Sequence, residues 1–369
     1  MKISISQDKI LSSLQSIIGV VPTKSTFPVL ANVLLEATKD KIKFSATDLE
    51  VAIVTETEAK VTNPGAITIP ARQFFEIIKQ LPSLPLDIEV NENKIAIKCD
   101  KSRFNLIGIP KEEFPKIPEI KKDKQIKLPA SLLQSAIKKT LFAAANDSSR
   151  PALCGVLFQV NGDKLRVVTT DGRRLALMES LIAPVSQKSE LLIPPKGLNL
   201  VNKMIGSSDQ EITLKFDENY SQFILGSTQL FARHIEGVYP EYDKFIPWSN
   251  DKIVTVNTEI FAAGVRRVSV FSDTFTSMIK LNIKADSLDL SSRTADIGEA
   301  FESLAAKYSG EEMEIGYNAN YLLDIIKNVE SDELNIYLSA PLAAAIVRPS
   351  QEKDDNKLVY LIMPIRLPE

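Results

Sequence analysis

At the start of the chain, apolar and polar residues first alternate and then fall into a helical period. In "KISISQDKILSSLQSI" (2–17), Ile3 and Ile5 alternate with serines, after which Ile10 and Leu14 recur four positions apart. Alternation sends side chains to opposite faces of a strand, whereas a spacing of three or four lays one stripe along a helix. The same order returns at "QIKLPASLLQSAIKKT" (125–140) through Ile126, Leu128, Leu133 and Ile137. It returns again at "IVTVNTEIFAAGVRRV" (253–268) through Val254, Val256, Phe261 and Val265. A second strand-to-helix unit follows each time: "ITIPARQFFEII" (67–78), "LLIPPKGLNLV" (191–201) and "MEIGYNANYLLDII" (313–326). Between them lie "KIKFSATDLEVAI" (41–53), "KLRVVTTDGRRLAL" (164–177) and "SLDLSSRTADIGEA" (287–300), which align Ile42 and Phe44 with Leu165 and Val167 and with Leu288 and Leu290.

Several segments in one order, three times over, define three copies of an α+β domain, spanning 1–120, 121–247 and 248–369. Polar or proline-containing connectors fall at "IPEIKKDKQ" (117–125) and "KFIPWSNDK" (244–252). Each copy is predicted to hold two helices and many short strands set off by Gly, Pro, Asn and Asp turns. Strands outnumber helices without alternating with them, which favours antiparallel sheets over a doubly wound parallel one. The six helices are predicted at 7–24, 71–80, 130–150, 195–206, 258–271 and 318–330.

Composition narrows the function more than the fold. The chain is 44% hydrophobic and 25% charged, with a formal net charge of −3. No apolar run approaches the roughly 18 residues that span a bilayer, and "MKISISQDKI" lacks a signal-peptide core. Cys99 and Cys154 are the only cysteines, so no disulfide framework is expected and a reducing cytoplasm fits. Mild acidity does not advertise a nucleic-acid partner; any such partner has to meet a local basic surface.

Catalytic chemistry is scarce. His234 is the only histidine, which removes His-based triads and most zinc sites, and neither G-x-x-x-x-G-K-[ST] nor G-x-G-x-x-G occurs. His234, within "LFARHIEGVYP", reads as a strand residue, and the cluster Glu311, Glu312, Glu314 as a solvated turn. No catalytic residue, metal or cofactor is expected. The densest polar stretch, "TTDGRRLAL" (169–177), carries Asp171, Arg173 and Arg174. Asp-Gly between alternating strands is a hairpin signal, so Asp171 reads as a turn former rather than a catalytic acid. Thr294 stands at the equivalent place in the third copy, and only the second copy carries "GRRLA".

On this threefold repeat, "TDLEV", "PARQFFEI", "TTDGRRLA", "EMEIGYNANYLLD" and the terminal "YLIMPIRL" resemble the bacterial sliding-clamp family, the beta subunits of the replicative DNA polymerase III holoenzyme. The resemblance covers nearly the whole chain. It implies a non-enzymatic processivity factor: a head-to-tail homodimer of three-domain subunits, closed into a ring whose helices line a hole around duplex DNA. Such a lumen has to attract phosphate without reading bases. The six predicted helices sum to a charge of about +6 and the rest of the chain to about −9, the partition that such a ring needs.

By position, the resemblance implies DNA contacts at Lys24, Arg72, Arg150, Lys196, Lys203 and Lys244. Lys24 and Lys244 stand where family members often carry Arg, and Pro151, Pro195 and Thr276 where they carry bulky or basic residues. Lysine keeps the charge but not the bidentate geometry. The dimer interface implied is Phe104 and Leu106 in the first copy against Val270 and Phe271 in the third. A shallow apolar groove is implied at Leu153, Thr170, Gly172, Arg174, Leu175, Pro240, Phe245, Met363, Pro364, Ile365, Arg366 and Leu367. It would take short linear peptides of the polymerase alpha subunit, the clamp loader, other polymerases and repair proteins. Arg174 and Arg366 are expected to hold peptide polar groups at the rim. Arg173 stands where many relatives have His, and Pro368 and Glu369 extend past the usual terminus, so both are expected to retune the groove.

Two other readings compete. One is a repeat-built protein-binding scaffold that never encircles nucleic acid. The other is a nucleotide-handling enzyme centred on Asp171, Arg173 and Arg174, which would need a phosphate-cradling loop or a metal-binding carboxylate pair; the sequence holds neither.

Overall fold

All twelve apolar positions of the three strand-to-helix starts are buried, none more than 5% exposed. The computed structural model describes residues 1–120, 124–207, 210–296, 298–352 and 356–367. Its helices are α1 (Gln7–Ile17), α2 (Ala71–Gln80), α3 (Ala130–Thr140), α4 (Pro195–Ile205), α5 (Thr258–Ser269) and α6 (Ala319–Asn328). The N-termini of α5 and α6 are capped by Asn257 and Asn318, whose side chains accept from the Ile260 and Tyr321 N–H groups.

Two predicted helices overran. α1 stops at Ile17 rather than 24, where the β-branched residues and glycine of "IIGVVP" meet a tight packing demand: a Cβ on Gly19 would lie 2.8 Å from Leu200 Cδ2. α3 stops at Thr140 rather than 150, giving way to a 3-10 turn (Leu141–Ala143) and then an aspartate turn, in which Asp147 accepts from the Ser149 N–H.

The strands form antiparallel sheets of five, eight and ten members. Their joints explain why the chain does not divide at repeat boundaries. By backbone proximity it splits into one unit of Met1–Gln134 with Lys196–His234 and another of Ser135–Pro195 with Ile235–Glu369, which cuts the second copy in two. In the first unit, Val51–Glu58 of copy one pairs with Thr228–Arg233 of copy two inside the eight-stranded sheet. In the second, Arg174–Ile193 of copy two pairs with Asn356–Ile362 of copy three inside the ten-stranded sheet. Adjacent copies are thus joined by ladder hydrogen bonds, not only by a linker.

The connectors lie on these joints. Ile117 and Ile120 pack against Ala52, Val54 and Phe231 at the first, and Ile246, with Tyr242 just ahead of the connector, against Leu177, Val359 and Leu361 at the second. Both act as packed straps. Residues 121–123 of the first connector fall outside the described residues.

Candidate partner groove and nucleic-acid interface

"TTDGRR" forms a hairpin turn, and its aspartate has a structural task. Asp171 Oδ1 accepts from the N–H groups of Arg173 (2.8 Å) and Arg174 (3.0 Å). Thr170 Oγ1 donates to the Arg174 carbonyl (2.6 Å) and accepts from the Gly172 N–H (3.0 Å). The first copy repeats this pattern bond for bond. Asp48 Oδ1 accepts from Glu50 and Val51, and Thr47 Oγ1 donates to Val51 and accepts from Leu49. The residue after each aspartate is left-handed, Gly172 at φ 87° and Leu49 at φ 81°. Glycine adopts that conformation freely, whereas leucine is strained in it. In the third copy Thr294 Oγ1 donates instead to the Phe271 carbonyl.

The rim role expected of Arg174 is corrected by its surroundings. The residue is 9% exposed, and its Nε donates to Asp171 Oδ2, Nη1 to Asp324 Oδ2 and Nη2 to the Phe142 carbonyl. Its guanidinium carbon lies 4.4 Å from the Tyr321 ring centroid. With every guanidinium nitrogen engaged, Arg174 ties the turn to α6. Arg173 and Arg366, by contrast, are exposed.

The C-terminal segment docks on this turn. The Met363 N–H donates to the Arg173 carbonyl (2.8 Å), and the Ile365 N–H to the Gly316 carbonyl (2.7 Å). A Cβ on Gly316 would lie 2.7 Å from the Ile365 oxygen, so the second contact requires glycine. Leu153, Arg173, Arg174 and Gly172 share an open cleft of about 630 Å³ with Asp171, Ala144, Asn146, Tyr321 and Arg150. Thr170 and Leu175 are buried beside the turn, Leu175 within the apolar cluster of Val168, Leu177, Val359 and Leu361. Pro364 and Ile365 are half-buried, whereas Pro240, Phe245 (68%) and Met363 (43%) stay exposed. Phe245 is held in place from its neighbours: the Tyr242 hydroxyl donates to Gln159 Oε1, and Asp243 accepts from Arg166. Burial pushes the Tyr242 hydroxyl above its ordinary range.

Leu367 departs from the expected set. It lines a separate cleft with Met278, Arg293 and Phe301. Pro368 and Glu369 lie outside the described residues. Tyr321 was not singled out from the sequence, although it sits inside "EMEIGYNANYLLD"; nothing in its spacing separates a cleft residue from a core one.

The six basic positions are all exposed. Lys24, Arg72, Lys196 and Lys203 belong to the first unit, Arg150 and Lys244 to the second. Lys196 and Lys203, seven apart on α4, share one face. Lys196 is paired with Asp48 and Lys244 with Glu241, whereas Arg150 lines the cleft beside the turn. Within their observed bounds the six helices still sum to about +6, part of it offset where Lys138 and Lys139 meet Glu330.

Two sheet margins expose apolar side chains. Ser102–Ile107 is the outermost strand of the five-stranded sheet, with Phe104 and Leu106 half-buried and Ile107 76% exposed. In Gly298–Tyr308, only Ala306 to Tyr308 pair with Lys252–Asn257, and Phe301 is 70% exposed. Phe271 is half-buried near Gly298, and Val270 is 67% exposed. None of the four expected interface residues is core. Ile107, Phe275 (97% exposed) and Phe301 were not picked out, because exposure of an isolated apolar residue has no sequence signature.

The histidine and the glutamate cluster singled out in the sequence have local partners or face solvent. His234 Nδ1 faces the Glu218 carbonyl and Nε2 the Ser221 hydroxyl, and burial lowers its pKa. Glu314 pairs with Lys280, while Glu311 and Glu312 are exposed. No cluster of three or more potential metal ligands occurs among the described residues.

Family models of the DNA polymerase III beta subunit match three successive stretches: the N-terminal domain over 1–118, the central domain over 127–241 and the C-terminal domain over 243–366. The chain is 31% identical over 371 residues to the beta sliding clamp of Pseudomonas putida, covering all of both chains. To that of Bacillus subtilis it is 30% identical over 379 residues, covering 99% of this chain and all of the relative. The crystal structure of the DNA polymerase III subunit beta from Pseudomonas aeruginosa superimposes with a TM-score of 0.94 at 31% identity, over 99% of this chain and all of that one. The Bacillus subtilis sliding clamp gives 0.95 at 28% identity over the full length of both. With all three copies matched in order, the chain belongs to the DNA polymerase III beta subunit family, the bacterial beta sliding clamps.

Proposed function

We infer that the chain does the work of its family: it is a DNA sliding clamp, a processivity factor without catalysis that encircles duplex DNA and tethers the replicative polymerase. Its domains on this reading are 1–120, 121–247 and 248–369. The observation that carries the ring is the manner in which the copies join. Copy one meets copy two, and copy two meets copy three, by strand pairing across the repeat boundary. The margins at Ser102–Ile107 and Gly298–Tyr308 expose Ile107 and Phe301, where sheet extension by a second copy would cover them. Phe104, Leu106, Val270 and Phe271 lie at or beside these margins. Contact of one margin with the other is head-to-tail, and two copies make two such contacts and close.

Duplex DNA is held through phosphates at Lys24, Arg72, Arg150, Lys196, Lys203 and Lys244, without sequence preference. Of the two that are ion-paired here, Lys244 exchanges the exposed carboxylate of Glu241 for phosphate at little cost, whereas Lys196 has to leave the largely buried carboxylate of Asp48. Polymerase, clamp loader and repair proteins dock by short peptides on the groove built from the 170–175 turn, the 240–246 strap and the 363–366 segment. A cytoplasmic location fits this work.

The decisive experiment compares retention on a nicked circular duplex before and after linearisation. Loss on linearisation is the expected result. Retention on linear DNA, or no retention on either, would favour the scaffold that never encircles nucleic acid.

A further inference from the structure

Each copy leaves its first helix by a loop that carries one large exposed side chain: Phe27 after α1, Arg150 after α3 and Phe275 after α5. All three loops are fixed from within. The Phe27 N–H donates to Ser25 Oγ (3.0 Å), the Ser149 N–H to Asp147 Oδ1 (2.9 Å) and the Phe275 N–H to Asp273 Oδ1 (3.0 Å). Phe27 and Arg150 each precede a proline, and their carbonyls accept from the Leu30 and Leu153 N–H groups, three residues on. The loops are alike in place and build, and what varies is the tip: aromatic, guanidinium, aromatic.

Neither phenylalanine serves the fold. Phe27 is 59% exposed and Phe275 97%, so their rings bury little apolar surface. The backbone does not ask for them either, since the second copy builds its loop with arginine at the tip. One exposed apolar residue is ordinary; an aromatic tip in two copies with arginine in the third is a pattern. Aromatic rings and cations are the two groups that hold single-stranded nucleic acid, the rings stacking on bases and the cations following phosphates. The cations read above as phosphate contacts reach into these loops. Lys24 lies three residues before Phe27, and Arg150 is itself a tip.

We propose that Phe27 and Phe275 are stacking contacts for unpaired nucleobases, by which the protein distinguishes a duplex bearing a single-stranded overhang from duplex alone. This rests on the DNA-encircling reading, in which the helices line the hole and these loops leave their C-terminal ends. Inside a duplex each base face is covered by its neighbours, so the rings find nothing to stack on and sliding is unhindered. An unpaired base offers its face whatever its identity, so the contact adds no sequence preference.

The test uses the full chain and three labelled DNAs that share one duplex: blunt, with a mixed-sequence overhang of about ten nucleotides, and with an abasic overhang of the same length. Fluorescence anisotropy at low salt, where weak binding to short DNA is measurable, should find the base-bearing overhang bound about five- to tenfold more tightly than the blunt duplex. The abasic overhang, which keeps the phosphates, should recover little of that gain. In the Phe27→Leu/Phe275→Leu double variant the preference should vanish while blunt binding stays unchanged; Phe27→Trp/Phe275→Trp should retain it. Both positions are exposed, so the variants are expected to fold, and blunt binding reports it. Equal binding of blunt and overhang DNA, a preference that the abasic strand reproduces, or one that survives the leucine variant would overturn the proposal while leaving DNA encirclement standing. Failure to bind any of the three would overturn the DNA reading itself.

Discussion

The Met363 N–H donates to the carbonyl oxygen of Arg173 at 2.8 Å, bridging 190 residues of chain between the C-terminal segment and the hairpin turn of the second copy. The same bond joins the first two copies, where the Arg233 N–H donates to the Glu50 carbonyl at 2.8 Å. Met363 is 43% exposed.

Removing residues 363–369 deletes this bond and the Ile365–Gly316 bond while sparing the Asn356–Ile362 strand. Peptide affinity should fall by more than tenfold, with dimer and DNA retention unchanged, since a groove loses its anchor wall when its central contacts go. Adding Phe245→Ala should cost little more, because both changes act on one site. Fluorescence anisotropy with one labelled peptide reads both; undiminished binding by the truncated chain would place the groove elsewhere. Leu175→Ala is a poorer probe: at 4% exposure, its cavity would cost the fold about 2–5 kcal/mol.

Arg174→Lys should destabilise the second unit by about 1–3 kcal/mol, because an ammonium cannot reach Asp171, Asp324 and the Phe142 carbonyl together and leaves part-buried acceptors unpaired. Asp171→Asn keeps the Oδ1 acceptor of the turn and should cost less than Arg174→Lys. Urea unfolding of the variants ranks them; an innocuous Arg174→Lys would mean that the network contributes little.

Ile107→Asp places a charge on an exposed edge position, where the fold has little to lose. Sedimentation should find a folded monomer. Phe271→Asp, half-buried near Gly298, should do the same at some cost to stability. Intact dimers in both variants would remove these margins from the interface.

His234 makes acid stability readable at one residue. Burial lowers its folded-state pKa below the ordinary 6.5, so the unfolded chain takes up the proton first. Its contribution is therefore complete above pH 6.5 and declines as pH falls from there through the lowered folded value. With a single histidine in the chain, its ring resonances report that value directly by NMR. His234→Gln should flatten the pH dependence of stability in this window, and an unchanged slope would assign it to other groups.

What the sequence determined by itself was local and periodic. Alternation followed by a helical stripe, repeated three times, fixed the starts of the helices and the inward residues, since the side-chain periods of strand and helix follow from backbone geometry alone. Asp171 was legible as a turn former because its hydrogen bonds span only three residues. Tertiary structure decided whatever depended on partners distant in the chain. Arg174 turned inward because Asp324, 150 positions away, and Phe142 meet it there. Leu367 lines a cleft apart from the one beside the turn, and Arg150 lines the latter. The divided second copy arose in the same way: ladder bonds across each repeat boundary involve backbone groups common to all residues, so side-chain patterns do not reveal which strands meet.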